Sequence, residues 1–171
     1  ATHLLAVHRI SRSKRLDLAL RALALLPSAY TLTHYGRALD PRTDPAYEAE
    51  IRQLLDDPRL HGRVRLMGSV PMPELRKIYP RYRTLINMVP NTIDKTVLES
   101  MYCGLTPIMT PGQARAIGYS DAPRDETPEA IADFIRTMHE KPREELRRLV
   151  RERHSLPALI EKMGAYIRPG A

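Results

Sequence analysis

Short apolar runs alternate with amphipathic stretches along most of the chain. His3–His8 is a short apolar run and predicts a strand. Leu16, Ala19, Leu20 and Leu23 then fall at i, i+3, i+4 and i+7, which predicts a helix over Lys14–Leu26, begun by a Ser13 cap and broken at Pro27. Tyr30–Tyr35 alternates in the manner of a strand and closes at Gly36. A polar loop, Arg37–Pro45, leads to a helix from about Ala46 to Leu55. Val64–Met67, ended by Gly68, predicts a third strand, and Pro73 opens a helix running toward Tyr82. Thr84–Val89 predicts a fourth strand bounded by Pro90 and Asn91, Thr96–Cys103 a helix stopped by Gly104, and Thr106–Met109 a fifth strand.

After Pro111-Gly112, read as a turn, the pattern changes to charged helices over Pro128–Met138, Pro142–His154 and Leu156–Ile167. Strands that alternate with helices predict a parallel sheet covered on both faces and joined by right-handed crossovers. The expected fold is therefore α/β: a doubly wound, Rossmann-like parallel sheet of about five or six strands with flanking helices. No Gly/Ser-rich linker or repeat divides the sequence, so residues 1–171 are expected to form a single domain whose residues 128–171 are its helical C-terminal part. The chain enters its first strand within about two residues of Ala1, an abrupt start that suggests a piece of something larger.

With 171 residues, 43% of them hydrophobic and 27% charged, the chain is long enough to bury a core without disulfides. The single Cys103 cannot form an internal bridge and fits a reducing compartment. No apolar run approaches the length of a membrane span, and no basic-then-apolar leader opens the sequence. Lys and Arg number 27 against 20 Asp and Glu, a net charge of +7 that favours anionic partners without selecting one. Trp is absent and Phe134 is the sole Phe, so the stacking platforms used on single-stranded nucleic acid are missing. The His residues show neither HExxH nor paired Cys/His spacing, and no metal site is expected.

In an open α/β sheet, ligands sit beyond the carboxyl ends of the strands, which directs attention to four segments. In VHRISRSKRLD, Arg9 and Lys14 flank a short loop entering a helix; two cations there can neutralise a diphosphate, although a solvated basic helix start explains the same charges. Gly68, before Ser69-Val70, would let a ligand ring approach the backbone against the Val70 side chain, and a plain turn explains it equally. NMVPNTIDKTVLESMYCG places Asn91, Asp94, Lys95 and Glu99 around a helix start. Free amides of Thr96 and Val97 would form an anion site there, and Glu99, one turn on, would bind vicinal hydroxyls such as a ribose. The alternative is that Asp94 only caps the helix and Glu99 only complements its dipole. Cys103, near Leu98 and Met101, reads as core packing rather than a nucleophile. MTPGQARAIGYSD follows the fifth strand and receives no chemical role.

Taken in order, these blocks resemble the C-terminal, donor-binding domain of retaining glycosyltransferases of the GT-B fold, the family 4 members of the group 1 glycosyl transferases. The resemblance spans about residues 4–112. The family's Gly-Arg, four residues and Lys correspond to His8-Arg9 and Lys14, which implies that Arg9 and Lys14 hold the donor diphosphate and act in its departure. Gly68-Ser69-Val70 matches the strand end where that family holds the nucleobase. Its signature of Glu, seven residues and Glu before a Cys-Gly pair matches Glu99-Ser100-Met101 and Cys103-Gly104, implying that Glu99 binds the ribose and that the turn of Asp94, Lys95, Thr96 and Val97 meets the phosphates. The first Glu of the signature falls on Asn91, which can hydrogen-bond a sugar hydroxyl but supplies no negative charge.

The resemblance implies transfer of a hexose from a nucleoside-diphosphate sugar with retention, and no metal or cofactor beyond that donor. It also implies a partner absent from these residues, an N-terminal acceptor-binding domain or subunit. The expected location is cytoplasmic, with peripheral contact at the inner membrane face. Two other classes stand beside this expectation. One is a non-catalytic nucleotide-binding or partner module of the same fold, suggested by Asn91. The other is a basic nucleic-acid-binding domain, suggested by Arg147-Arg148 and Arg151-Glu152-Arg153; there the interleaved acids read instead as a salt-bridged exposed helix, and no nucleic-acid partner is expected.

Overall fold

The computed structural model describes residues 2–37 and 44–167, and among these it contains five strands and eight α-helices. Strands β1 (His3–Val7), β2 (Thr31–Tyr35), β3 (Val64–Leu66), β4 (Thr84–Asn87) and β5 (Thr106–Met109) form one sheet in the order β3-β2-β1-β4-β5. Every pairing is parallel, with Leu5 opposite Thr33 on one side and Leu85 on the other. Parallel neighbours need crossovers, and the helices α1 (Leu16–Ala24), α2 (Pro45–Leu55), α3 (Met72–Ile78) and α4 (Lys95–Tyr102) supply them. Helices α5 (Pro111–Ile117), α6 (Pro128–Thr137), α7 (Arg143–His154) and α8 (Leu156–Ile167) follow β5. The chain is thus the α/β, Rossmann-like sheet that the alternation of periods predicts. None of the helices searched is long and apolar enough to cross a membrane.

Alternate residues of β1 feed two cores, because successive strand side chains point to opposite faces. Leu4 and Ala6 pack with Leu16, Leu20 and Leu23 of α1 and Ile131 and Ile135 of α6. Leu5 and Val7 pack with Leu75, Tyr79, Val97 and Met101 on the face that carries α3 and α4. Strands buried on both faces read as apolar runs rather than alternations, which is why β1 and β4 were legible at all.

Three expectations are corrected. The predicted Ser13 cap is absent: α1 begins at Leu16, its N-cap is Arg15 in a left-handed conformation (φ 53°), and Ser13 belongs to a short 3-10 turn in which its hydroxyl meets that of Ser11 at 3.1 Å. The helical stripe could not reveal this, since the turn carries no apolar side chain to mark it. Pro111-Gly112 is not a turn but the first step of α5. Thr110 caps that helix by accepting from the Gln113 amide at 3.2 Å, Pro111 occupies the first position, where no donor is missed, and Gly118 (φ 78°) ends it. The fourth strand stops at Asn87, two residues early, because Asn87 turns its side chain onto the following backbone. Most of the predicted loop Arg37–Pro45 lies outside the described residues.

One buried cation locks the β3 edge to α1. Arg63 is 8% exposed, and its guanidinium donates to five carbonyls: Tyr30 at 2.9 Å, Arg59 at 2.7 Å, Leu23 at 2.9 Å, Leu26 at 3.2 Å and Pro27 at 3.0 Å. Three of these belong to the carboxyl end of α1 and the residues just after it, where orphan carbonyls and the helix dipole favour a positive charge. Replacing Arg63 by Met keeps the stem but strands those carbonyls, and is expected to lower the unfolding free energy by about 3 kcal/mol, read as a lower urea midpoint at unchanged m-value.

Candidate functional site

The strand order reverses between β1 and β4: the chain runs outward to β2 and β3, then returns to β4 and β5. The loops after β1 and β4 therefore flank a crevice at the carboxyl end of the sheet, the place where open α/β sheets hold ligands. Lys14 reaches across from the first loop, and its ammonium donates to Asp94 Oδ2 at 2.5 Å. Two residues 80 apart in sequence thus meet at the head of α4, where sequence reasoning places an anion site. Arg9 stands at the end of β1, exposed, and its side chain has no hydrogen-bond or ion-pair partner among the described residues. The neighbouring cations differ: Arg12 pairs with Asp44 at 3.2 Å and lies over the Tyr47 ring, and Arg15 pairs with Glu126. The basic stretch therefore divides into two arginines held in ion pairs, Lys14 reaching to Asp94, and Arg9 exposed at the strand end.

The expected free amides at the start of α4 are not free. Thr96 N donates to Asp94 Oδ1 at 3.0 Å, Thr96 Oγ1 donates to the same oxygen at 2.8 Å, and Val97 N donates to the Asp94 carbonyl at 3.1 Å. Asp94 is the N-cap, and its carboxylate occupies the position where an external anion would be placed. Asn87 Nδ2 adds a further donor to Oδ2 at 3.2 Å. Burial alone would raise the Asp94 pKa, but the bonds from Lys14, Thr96 and Asn87 outweigh it and hold the carboxyl below its ordinary value.

Behind Asp94 lies a polar chain that sequence reasoning missed. Val89 N donates to Asn87 Oδ1 at 3.2 Å and Gln113 Nε2 to the same oxygen at 3.4 Å, so the Asn87 amide group is turned toward Asp94. Asn87 and Gln113 are buried, and the Gln113 carbonyl oxygen has no partner. The available signal was a polar residue inside an otherwise apolar strand, INMV, where burial makes a polar side chain costly unless it is bonded.

Glu99 lies one turn into α4 and forms an ion pair with exposed Lys95 at 3.3 Å. It lines a cleft of about 710 Å³ between α3 and α4, together with Met72, Arg76, Tyr79, Tyr102 and Cys103. The Tyr79 hydroxyl is buried beside Glu99 without a well-formed hydrogen bond among the described residues; burial and then the Glu99 charge raise its pKa. Burial likewise raises the Cys103 thiol, consistent with packing rather than nucleophilic chemistry. Gly68 ends the β3 segment with φ 75°, where a Cβ would meet open space, and its carbonyl accepts from Gly36 N at 2.9 Å. Val70 is partly buried against the core on the α3 and α4 face, a core that includes Leu75 and Tyr79 of the cleft that Glu99 lines. Asn91 is exposed with φ 47°, and its side chain lies so close to Gly112 that any Cβ there would overlap it.

Beneath the β1 loop, His8 and His34 pack edge to face with ring centres 4.9 Å apart. His8 Nδ1 donates to the Arg9 carbonyl at 3.0 Å, while His34, 1% exposed, has no well-formed hydrogen bond at either nitrogen among the described residues. Burial, and then the His8 charge, lower the His34 pKa from 6.5 to about 4. Between those values the unfolded chain binds the proton that the native chain refuses, so native stability falls as pH drops from about 6.5 to about 4. His34→Phe is expected to flatten this acid limb by up to about 3 kcal/mol, measured by urea unfolding across that range.

A family model described as "Glycosyl transferases group 1" matches residues 1–141. No curated protein matches the sequence. Among solved structures, Anabaena HepE in complex with UDP-glucose superposes with a TM-score of 0.80 at 17% identity, over 97% of this chain and 48% of that one. The C-terminal domain of LpcC, a glycosyl transferase group 1 family protein from Francisella tularensis, gives 0.75 at 16% identity, over 90% of this chain and 87% of that one. The pneumococcal O-GlcNAc transferase GtfA in complex with UDP and GlcNAc gives 0.68 at 15% identity, over 96% and 35%. At these identities the likeness is one of fold. The chain spans about half the length of HepE.

Proposed function

The chain belongs to the glycosyl transferases group 1 family, and from that premise we propose that it is the donor-binding domain of a retaining, family 4 hexosyltransferase. The observation that carries this reading is the convergence at the switch point. The Lys14 ammonium stands at the head of α4, Arg9 at the adjacent strand end has no side-chain partner among the described residues, and Glu99 lies one turn further along α4. Breaking a glycosyl–phosphate bond leaves negative charge on the diphosphate, and preformed cations at that point lower the barrier. Arg9 and Lys14 take that role, so the reading calls for no metal and no cofactor beyond the donor. Glu99 accepts from the ribose hydroxyls, and the backbone at Gly68, with Val70 beside it, flanks the base.

The head of α4 contributes through Asp94 and Thr96, which shape the crevice around Lys14, and through Lys95 at its rim; the Val97 amide is spent inside the helix. Asn91 orients a sugar hydroxyl. Retention follows if the acceptor attacks the face from which the phosphate departs, with the leaving phosphate taking the acceptor proton. HepE and GtfA carry UDP, which makes a uridine diphosphate sugar the first donor to test. In this reading the acceptor side belongs to an N-terminal domain or subunit that turnover requires, a reading supported by the match to about half of HepE. The protein is placed in the cytoplasm, and its charge of +7 suits contact with anionic lipid at the inner membrane face.

A second reading, a nucleotide-binding module without transfer, is favoured by one observation: Asn91 stands where the family signature has its first Glu. Calorimetric titration of this chain with UDP and GDP is expected to show binding of one of them. Arg9→Ala and Glu99→Ala should each raise that Kd at least tenfold, a loss of about 1.4 kcal/mol. A folded chain that binds neither nucleotide overturns donor binding. If binding is intact, but the domain joined to its N-terminal partner transfers no sugar, the non-catalytic reading stands.

A further inference from the structure

A carboxylate beside two cations that receive a diphosphate works against binding, yet the fold invests in keeping it charged. Asp94 receives four side-chain or backbone donors: Lys14 Nζ at 2.5 Å, Asn87 Nδ2 at 3.2 Å, Thr96 N at 3.0 Å and Thr96 Oγ1 at 2.8 Å. Helix capping needs only the bond to Thr96 N, and a serine or asparagine would supply it. The remaining donors fix the carboxylate's orientation and ionisation, and Gln113 in turn fixes Asn87. Asp94 therefore has a purpose other than starting α4.

The donor and the product of the proposed reaction differ in charge at this spot. In a nucleotide sugar the terminal phosphate is esterified; in the released nucleoside diphosphate that oxygen ionises with a pKa near about 6 and adds one negative charge. A phosphate accepting from the Lys14 ammonium lies within a few ångströms of the Asp94 carboxylate, which shares that ammonium. Lys14 alone would reward the extra product charge; Asp94 cancels the reward. We infer that Asp94 is a specificity-determining residue that shifts the site's preference away from the free nucleoside diphosphate toward the nucleotide sugar and so speeds product release. This rests on the donor-binding reading above.

The test is a paired titration of this chain with UDP and UDP-glucose at about pH 7.5, where the terminal phosphate of UDP is fully ionised. Should the base prove to be guanine, GDP and GDP-mannose replace them. Asp94→Asn keeps a capping oxygen and removes the charge. It is expected to tighten the diphosphate about tenfold and the nucleotide sugar at most about threefold, since the added interaction is with a single charge. Asp94→Ser, which also keeps an N-cap oxygen, is expected to move the ratio the same way and replaces the Asn variant if that variant melts early. The ratio of the two affinities is a readout that loosening of the loop would not shift. If wild type binds both ligands and the ratio is unmoved or reversed in the variant, the role of Asp94 is overturned while donor binding stands. If wild type binds neither, both fall.

Discussion

The contact between Lys14 and Asp94 is the constraint on which the rest of the site depends. It joins the loop after β1 to the loop after β4 across the one point where the sheet changes direction. Both side chains are largely withdrawn from water, and an ion pair in that position gains stability only if its remaining hydrogen-bonding capacity is filled. Thr96 and Asn87 fill it, and Asn87 is held by Val89 and Gln113. Loss of any member leaves a charge or an amide stranded in a poorly solvated place. Arg9 stands outside the network, with no side-chain partner among the described residues.

The sheet was legible because both its faces are covered. Burial on two sides makes β1, β4 and β5 largely apolar runs rather than alternations, and the amphipathic stretches between strands read as crossover helices. What stayed hidden was local and polar. No apolar stripe marks the 3-10 turn before α1, and the left-handed Arg15 that ends it belongs to a residue type with no tendency to announce such a conformation. Helix α5 was concealed by Pro111-Gly112, a pair that usually signals a turn. Proline is acceptable at a first helical position, and glycine is required at 112 because the Asn91 side chain occupies the space of its Cβ.

At the site, the sequence supplied residue types but not their partners. Lys14 and Asp94 meet at the carboxyl end of the sheet, where Arg9 follows β1 and Asp94 caps α4, while Glu99 lies one turn into that helix. That Asp94 would accept the Thr96 amide instead of leaving it open is a matter of one side-chain torsion, and the same residues read either way before coordinates exist. Arg76 of α3 and Tyr79 just after it line the cleft with Glu99 of α4, a meeting that depends on how the crossovers pack and not on spacing along the chain.

Asn91 and Gly112 together show how a change in one side chain is tied to the backbone. Asn91 has φ 47°, a conformation that asparagine tolerates better than most residues because its short amide can bond locally. Its side chain is pressed onto the first turn of α5 at Gly112. A glutamate at this position would carry a longer, charged group into the same left-handed backbone, and the packing on Gly112 would have to open to admit it. The missing negative charge of the family signature is therefore not an isolated substitution. It belongs to a loop whose path over α5 suits a compact amide.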